Sequence, residues 1–207
     1  INARKPSVEL SSGSAIPILL LLGIVHLLLG FDHVLLLLVL LYLVPGWKNL
    51  LGVITAFTVA HSLTLGLSVF QLITLPQPPV EALVALSIVV LAREALSSRR
   101  SLISAQPWLA ALAFGLLHGL GFAGALSAIG LPEDNAVGAL FLFNVGIELG
   151  QLMIVSLALT LVFVGARLGL KITWHSFQPM ALMQAPLYLA GGISTYWFVE
   201  RCVQIAG

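Results

Sequence analysis

The sequence predicts an all-α integral membrane protein, a bundle of about six transmembrane helices with a seventh left open, and three observations carry that reading. Hydrophobic residues make up 59% of the 207-residue chain and charged residues only 8%, against roughly a quarter charged in an ordinary soluble domain; mean hydropathy is +1.09. The apolar residues fall in six long runs, each of about the 20 residues or more that a helix needs to cross a bilayer. These runs lack the period-two alternation of membrane β-strands, and in lipid only helices and closed barrels satisfy their own backbone.

The runs are roughly 16–44, 50–70, 80–98, 108–130, 137–164 and 180–202. The first follows an extracytoplasmic lead-in, 1–15, and is closed by Pro45-Gly46-Trp47-Lys48-Asn49. The second stops ahead of Pro76-Gln77-Pro78-Pro79, the third at Ser97-Ser98-Arg99-Arg100-Ser101, and the fourth at Pro132-Glu133-Asp134-Asn135. Such Pro, Gly and Ser clusters punctuate helices. The fifth and sixth are joined by the longest connector, Arg167 to Pro179, and residues 16–207 read as one transmembrane domain. Trp47, Trp108, Trp174 and Trp197 fall near span ends, where indole rings favour the interface.

Loops one, three and five carry Lys48, Arg99/Arg100 and Arg167/Lys171, whereas loops two and four carry no Lys or Arg. Cytoplasmic loops hold the positive charge, so both termini are expected outside. Arg4 and Lys5 oppose this rule, and a first residue of Ile points to an upstream signal or exported segment that sets the topology. A net charge of +1 leaves no basic stripe for nucleic acid. The single cysteine, Cys202, excludes an intrachain disulfide and any CxxC site.

Ionisable side chains inside apolar spans are expensive and therefore point to function. Four of the five histidines lie there: His26 and His33 on the first span, His61 on the second and His118 on the fourth; His175 falls in a loop. Asp32, Glu94 and Glu148 join them, with Asn144 one turn before Glu148. Seven residues are close to two turns, so His26 and His33 share a helix face. With alternating helix directions and a rise of about 1.5 Å per residue, His26, Asp32, His33, His61, His118, Asn144 and Glu148 converge at or just outside the midplane. Glu94 sits apart, near the inner end of the third span.

Imidazoles with carboxylates are ligands for zinc, nickel, cobalt or iron. Two carboxylates, Asp32 and Glu148, would cancel a divalent ion and relieve two costly buried anions. A weaker pattern is internal: Gly23-Ile24-Val25-His26 is followed by Gly30-Phe31, and Gly115-Leu116-Leu117-His118 by Gly121-Phe122. Placed on the first and fourth spans, it suggests two inverted three-helix repeats, the plan many transporters use to build a midplane site.

His26, five residues, then Asp32-His33 resembles the signature of the HupE/UreJ family of membrane proteins. So do Thr58-Val59-Ala60-His61-Ser62-Leu63-Thr64-Leu65, Gly115-Leu116-Leu117-His118-Gly119-Leu120-Gly121-Phe122-Ala123 and Phe143-Asn144-Val145-Gly146-Ile147-Glu148-Leu149-Gly150-Gln151. The likeness runs from about residue 20 to 160 and implies a nickel or cobalt permease of the kind associated with hydrogenase and urease gene clusters, in the bacterial inner membrane.

Two functions follow. In the first, a secondary permease, His26, Asp32, His33, His61, His118 and Glu148 strip and pass a divalent ion, nickel or cobalt as cargo, with Asn144, Ser62 and Thr58 in support. In the second, an intramembrane hydrolase, the histidines hold zinc, which lowers the pKa of a bound water, and Asp32 or Glu148 is the general base. No Gly-x-Ser-x-Gly or His-Glu-x-x-His motif names a chemistry for the second. The partners expected are the bilayer, the metal ion and the upstream segment of the same chain.

Overall fold

Lipid offers a backbone no hydrogen-bond partner other than itself, and each of the six apolar runs is helical. A computed structural model describes residues 12–97, 102–129, 135–168 and 181–207. Among these there is no strand, and the helices are α1 (Ser12–Leu29), α2 (Phe31–Leu43), α3 (Trp47–Val69), α4 (Gln77–Leu96), the single turn α5 (Leu102–Ala105), α6 (Pro107–Ile129), α7 (Ala136–Arg167) and α8 (Ala181–Ala206). Arg4, Lys5, Arg99, Arg100, Glu133, Asp134, Lys171, Trp174 and His175 lie outside the described residues.

The first run departs from the expectation of one continuous span. It is two helices, α1 and α2, whose axes bend by 72°. The break is confined to Gly30, which leaves helical geometry at φ −75° and ψ 90°. Its N–H still reaches His26 O at 2.8 Å and its carbonyl accepts from Val34 at 3.1 Å, so the turn changes direction without abandoning its hydrogen bonds. A straight helix over 16–44 would be about 43 Å long, well beyond a hydrocarbon core of about 30 Å.

By length and composition, α3 and the Ala136–Gly165 part of α7 can cross a membrane, and the α1–α2 pair qualifies as one bent span.

Three helix pairs dominate the packing: α3 with α6, α1 with α7, and α4 with α8. The first two are in backbone contact through glycine. A Cβ on Gly23 would collide with Phe143 O, and one on Gly146 with Leu20 O. Likewise a Cβ on Gly115 would meet Phe57 O, and one on Gly119 would meet His61 O and Thr64 Oγ1. Small residues allow this approach, which replaces the hydrophobic drive that lipid removes.

The contacts also fix directions. Leu20 lies at Gly146 and Leu27 at Gly150, so α1 and α7 are parallel; Phe57 lies at Gly115 and Thr64 at Gly119, so α3 and α6 are parallel. Thr58 meets Gln151 while Gly66 meets Leu140, which makes α3 antiparallel to α7. Glu81 meets Arg201 and Ala92 meets Gly191, which makes α4 antiparallel to α8. Consequently α1 and α6 run in opposite directions.

The main core gathers Leu36, Leu37 and Leu40 of α2 against Leu50, Ile54 and Phe57 of α3, Ile88 and Leu91 of α4, and Leu187 of α8. It fills the end of the bundle nearest the α2–α3 turn. Toward the opposite end a second cluster, Leu27, Leu65, Leu140, Phe143 and Ile147, packs α1, α3 and α7 together, beside a cavity bordered by α4 and α8.

Candidate metal centre

Four histidines from four helices meet around His33. His26 is on the last turn of α1, His33 on the first turn of α2, His61 within α3 and His118 within α6. On a straight helix His26 and His33 would be separated by about 10.5 Å along the axis. The bend at Gly30 instead brings their ring centroids to 4.8 Å. Ligating atoms of His26, His33 and His61 all lie within 4.8 Å of one another. An ion held by all three at about 2.0–2.1 Å would draw those nitrogens to about 3.4 Å apart.

The remaining polar groups determine how these rings are presented. Asp32 Oδ1 accepts the backbone N–H of His33 at 2.9 Å and its ring Nδ1–H at 3.0 Å, which in the neutral ring makes Nε2 the lone-pair nitrogen. His118 Nδ1–H donates to Phe114 O at 2.8 Å, which does the same for its Nε2, and its ring is 4.9 Å from that of His33. His33 Nε2, His118 Nε2 and both ring nitrogens of His61 are buried with no hydrogen-bond partner among the described residues. Buried nitrogens in that condition are destabilising unless something satisfies them, and a borderline divalent cation suits an all-imidazole set. Phe57 stacks on His61 at 5.9 Å and 17° and edges onto His118 at 5.2 Å; Phe143 flanks His26 at 5.5 Å.

The structure therefore joins His26, His33 and His61, sets Asp32 and His118 directly beside them, and places the other expected residues elsewhere. Glu148, on α7, is half-buried and its Oε1 is 3.5 Å from Thr55 Oγ1; it is not in the group of converging ligand atoms. Thr58 Oγ1 donates to Gln151 Oε1 at 2.9 Å, tying α3 to α7. Ser62 turns back on its own helix to Thr58 O at 2.6 Å. Asn144 does likewise, from Nδ2 to Leu140 O at 2.8 Å, one of the local bonds that hydroxyl and amide side chains commonly make within a helix.

A cavity of about 590 Å³ leads to the cluster, with His26, Asp32, His33 and His118 in its wall. Glu81 of α4 and Trp197, Glu200 and Arg201 of α8 line it as well. Arg201 Nε donates to Glu81 Oε2 at 2.7 Å, and Arg201 Nη1 to Gln204 Oε1 at 2.8 Å. Sequence reasoning passed over this pair, since neither residue lies within a motif and only the folded α4–α8 contact joins them. Beyond His33 the space shrinks to about 10 Å³, walled by Leu36, Leu37, Leu40, Ile54, Phe57 and Gln151, which is room for about one water molecule. The site is thus open to the end of the bundle where α4 begins and α8 finishes, and shut toward the α2–α3 turn.

Residues 3–201 match the HupE / UreJ protein family. No curated protein and no solved structure gives a significant match. The family match spans nearly the whole chain and agrees with the helices carrying the histidine motifs, so this protein is an integral membrane protein belonging to the HupE / UreJ family.

Proposed function

We propose that the protein is a secondary permease for a divalent transition metal, nickel or cobalt, in the bacterial inner membrane. The observation that carries this reading is the convergence of ligand atoms from His26, His33 and His61, with His26 and His33 in the wall of a cavity of about 590 Å³ and His61 buried behind them. In this reading all six apolar runs cross the bilayer, residues 16–207 form one transmembrane domain behind an extracytoplasmic lead-in, and both termini and the cavity face outside. The opposed directions of α1 and α6, with α1·α7 matched by α6·α3, support two inverted three-helix halves around the site.

The residues divide the work. The rim charges Glu81, Glu200 and Arg201 keep the cavity wet. The three imidazoles replace water on the ion, His118 offers a further nitrogen as the ion moves, and Asp32 supplies the one adjacent negative charge and holds the ring of His33. Neutral nitrogen ligands bind reversibly, and release is as necessary to conduction as binding. The test is nickel and cobalt titration of detergent-purified protein, followed by uptake into vesicles containing it. Binding with uptake supports the reading; binding without uptake removes the permease.

The cavity's size favours a second reading. An ion with its six waters needs only a small part of this space. A zinc hydrolase would use the remainder for substrate, with Asp32, which lines the cavity, as general base. Zinc that stays with the protein through brief chelation, together with hydrolytic activity lost in His61→Ala, would favour that enzyme.

A further inference from the structure

The two Gly-x-x-His helices have matching surroundings. On α1, Gly23 abuts Phe143 O of α7 and the ring of His26 is 5.5 Å from that of Phe143. On α6, Gly115 abuts Phe57 O of α3 and the ring of His118 is 5.2 Å from that of Phe57. A Gly-Phe pair follows each histidine, Gly30-Phe31 in α1–α2 and, one residue closer, Gly121-Phe122 in α6. Here the likeness ends. The chain breaks at Gly30 with a bend of 72°, whereas α6 continues through Gly121 to Ile129.

The glycines differ in a second respect. A Cβ at Gly30 would lie 2.8 Å from His33 Nδ1 and 2.9 Å from His26 O, so the broken form excludes any larger residue. At Gly121 a Cβ would meet, among the described residues, only Val80 Cγ1, at 3.7 Å. That is ordinary contact, unlike at Gly115 and Gly119, where neighbouring backbone forbids a side chain. Gly121 is therefore a helix-weakening residue that packing in this state does not require.

We propose that Gly30 and Gly121 are alternative break points, and that the ion crosses when the two halves exchange them. Closing the bend at Gly30 while α6 opens at Gly121 carries His118 into the position His26 holds now. The cavity beside α4's start and α8's finish closes, and a counterpart opens toward the α2–α3 turn. In that form a Cβ on residue 121 would press on the carbonyl of His118, as one on residue 30 would now press on that of His26. This inference rests on the permease reading and adds to it the position of the moving element.

Gly121→Ala tests it, with nickel ions as the probe in both assays. Alanine favours the continuous helix over glycine by about fivefold. The variant should therefore bind nickel within about twofold of the unmodified protein, while uptake into vesicles falls by about fivefold or more. Gly52→Ala is the control, since nothing lies within 4 Å of a Cβ there; it should change neither. Undiminished uptake by Gly121→Ala overturns the proposal, and so does lost nickel binding, which would make Gly121 a packing residue. If the unmodified protein binds nickel but moves none, the permease reading itself has failed, and the proposal with it.

Discussion

Asp32 holds its neighbour His33 twice through a single oxygen: Oδ1 accepts the backbone N–H at 2.9 Å and the ring Nδ1–H at 3.0 Å. The first bond anchors the start of α2 at the break, and the second fixes which ring nitrogen faces the cluster. A carboxylate on the outer nitrogen of a ligating histidine raises the basicity of the inner one, and its loss costs typically 10–100-fold in metal affinity. Asp32→Asn should weaken nickel or cobalt binding by about that factor in isothermal titration without unfolding the protein. An unchanged affinity would show that orientation of His33 comes from the bend alone.

Removing a ligand should be more severe. His33→Ala takes away the residue whose ring lies 4.8 Å from His26, 5.7 Å from His61 and 4.9 Å from His118. Affinity should fall by more than about 100-fold, beyond the effect of an outer-sphere change, while circular dichroism in detergent stays helical. If this variant binds metal as tightly as the unmodified protein, the shared site is wrong.

Glu148→Gln should behave differently from both. Its carboxylate faces Thr55 at 3.5 Å, outside the histidine group, so binding measured by the same titration should remain within about threefold, the scale of a screened, indirect charge effect. A loss of tenfold or more would return Glu148 to the ligand set.

The glycine contacts predict the stability of the bundle. Gly146→Val places branched carbon against Leu20 O, an atom of the α1 backbone that has no rotamer to yield. Overpacking of this kind costs about 1–3 kcal/mol. It should lower the thermal midpoint in detergent and reduce metal binding together, because α1 carries His26. Gly192→Ala, with open space around it, should leave both unchanged.

The candidate residues could be read from the sequence because each histidine interrupts an otherwise apolar run, and burying it in lipid is expensive enough to mark it. Their approximate depth was also legible, since every helix residue advances by the same rise. The break at Gly30 was not: hydropathy is continuous across Leu29-Gly30-Phe31, and only the excess length of the run pointed to it. That one break determines whether His26 and His33 are two turns apart or side by side. Glu148 illustrates the complementary limit. Depth alone placed it with the histidines, but which face of α7 meets which neighbour depends on the glycine contacts of α1, and these direct Glu148 to Thr55. The Glu81–Arg201 pair joins residues of α4 and α8 that no local pattern connects.

The leucine wall beyond His33 also divides the molecule electrically. Membrane voltage falls across apolar matter and hardly at all across water, so in the orientation proposed a water-filled cavity would carry the outside potential down to the histidines. The remaining drop then falls across the apolar core that begins with Leu36, Leu37, Leu40, Ile54 and Phe57. One charge crossing a full membrane gains or loses about 2.3 kcal/mol per 100 mV, and a divalent ion about twice that. In the orientation proposed, an ion reaches the histidines almost without sensing the potential, then meets nearly all of it in the next step. Affinity should thus be indifferent to voltage, while an interior-negative membrane draws the metal through.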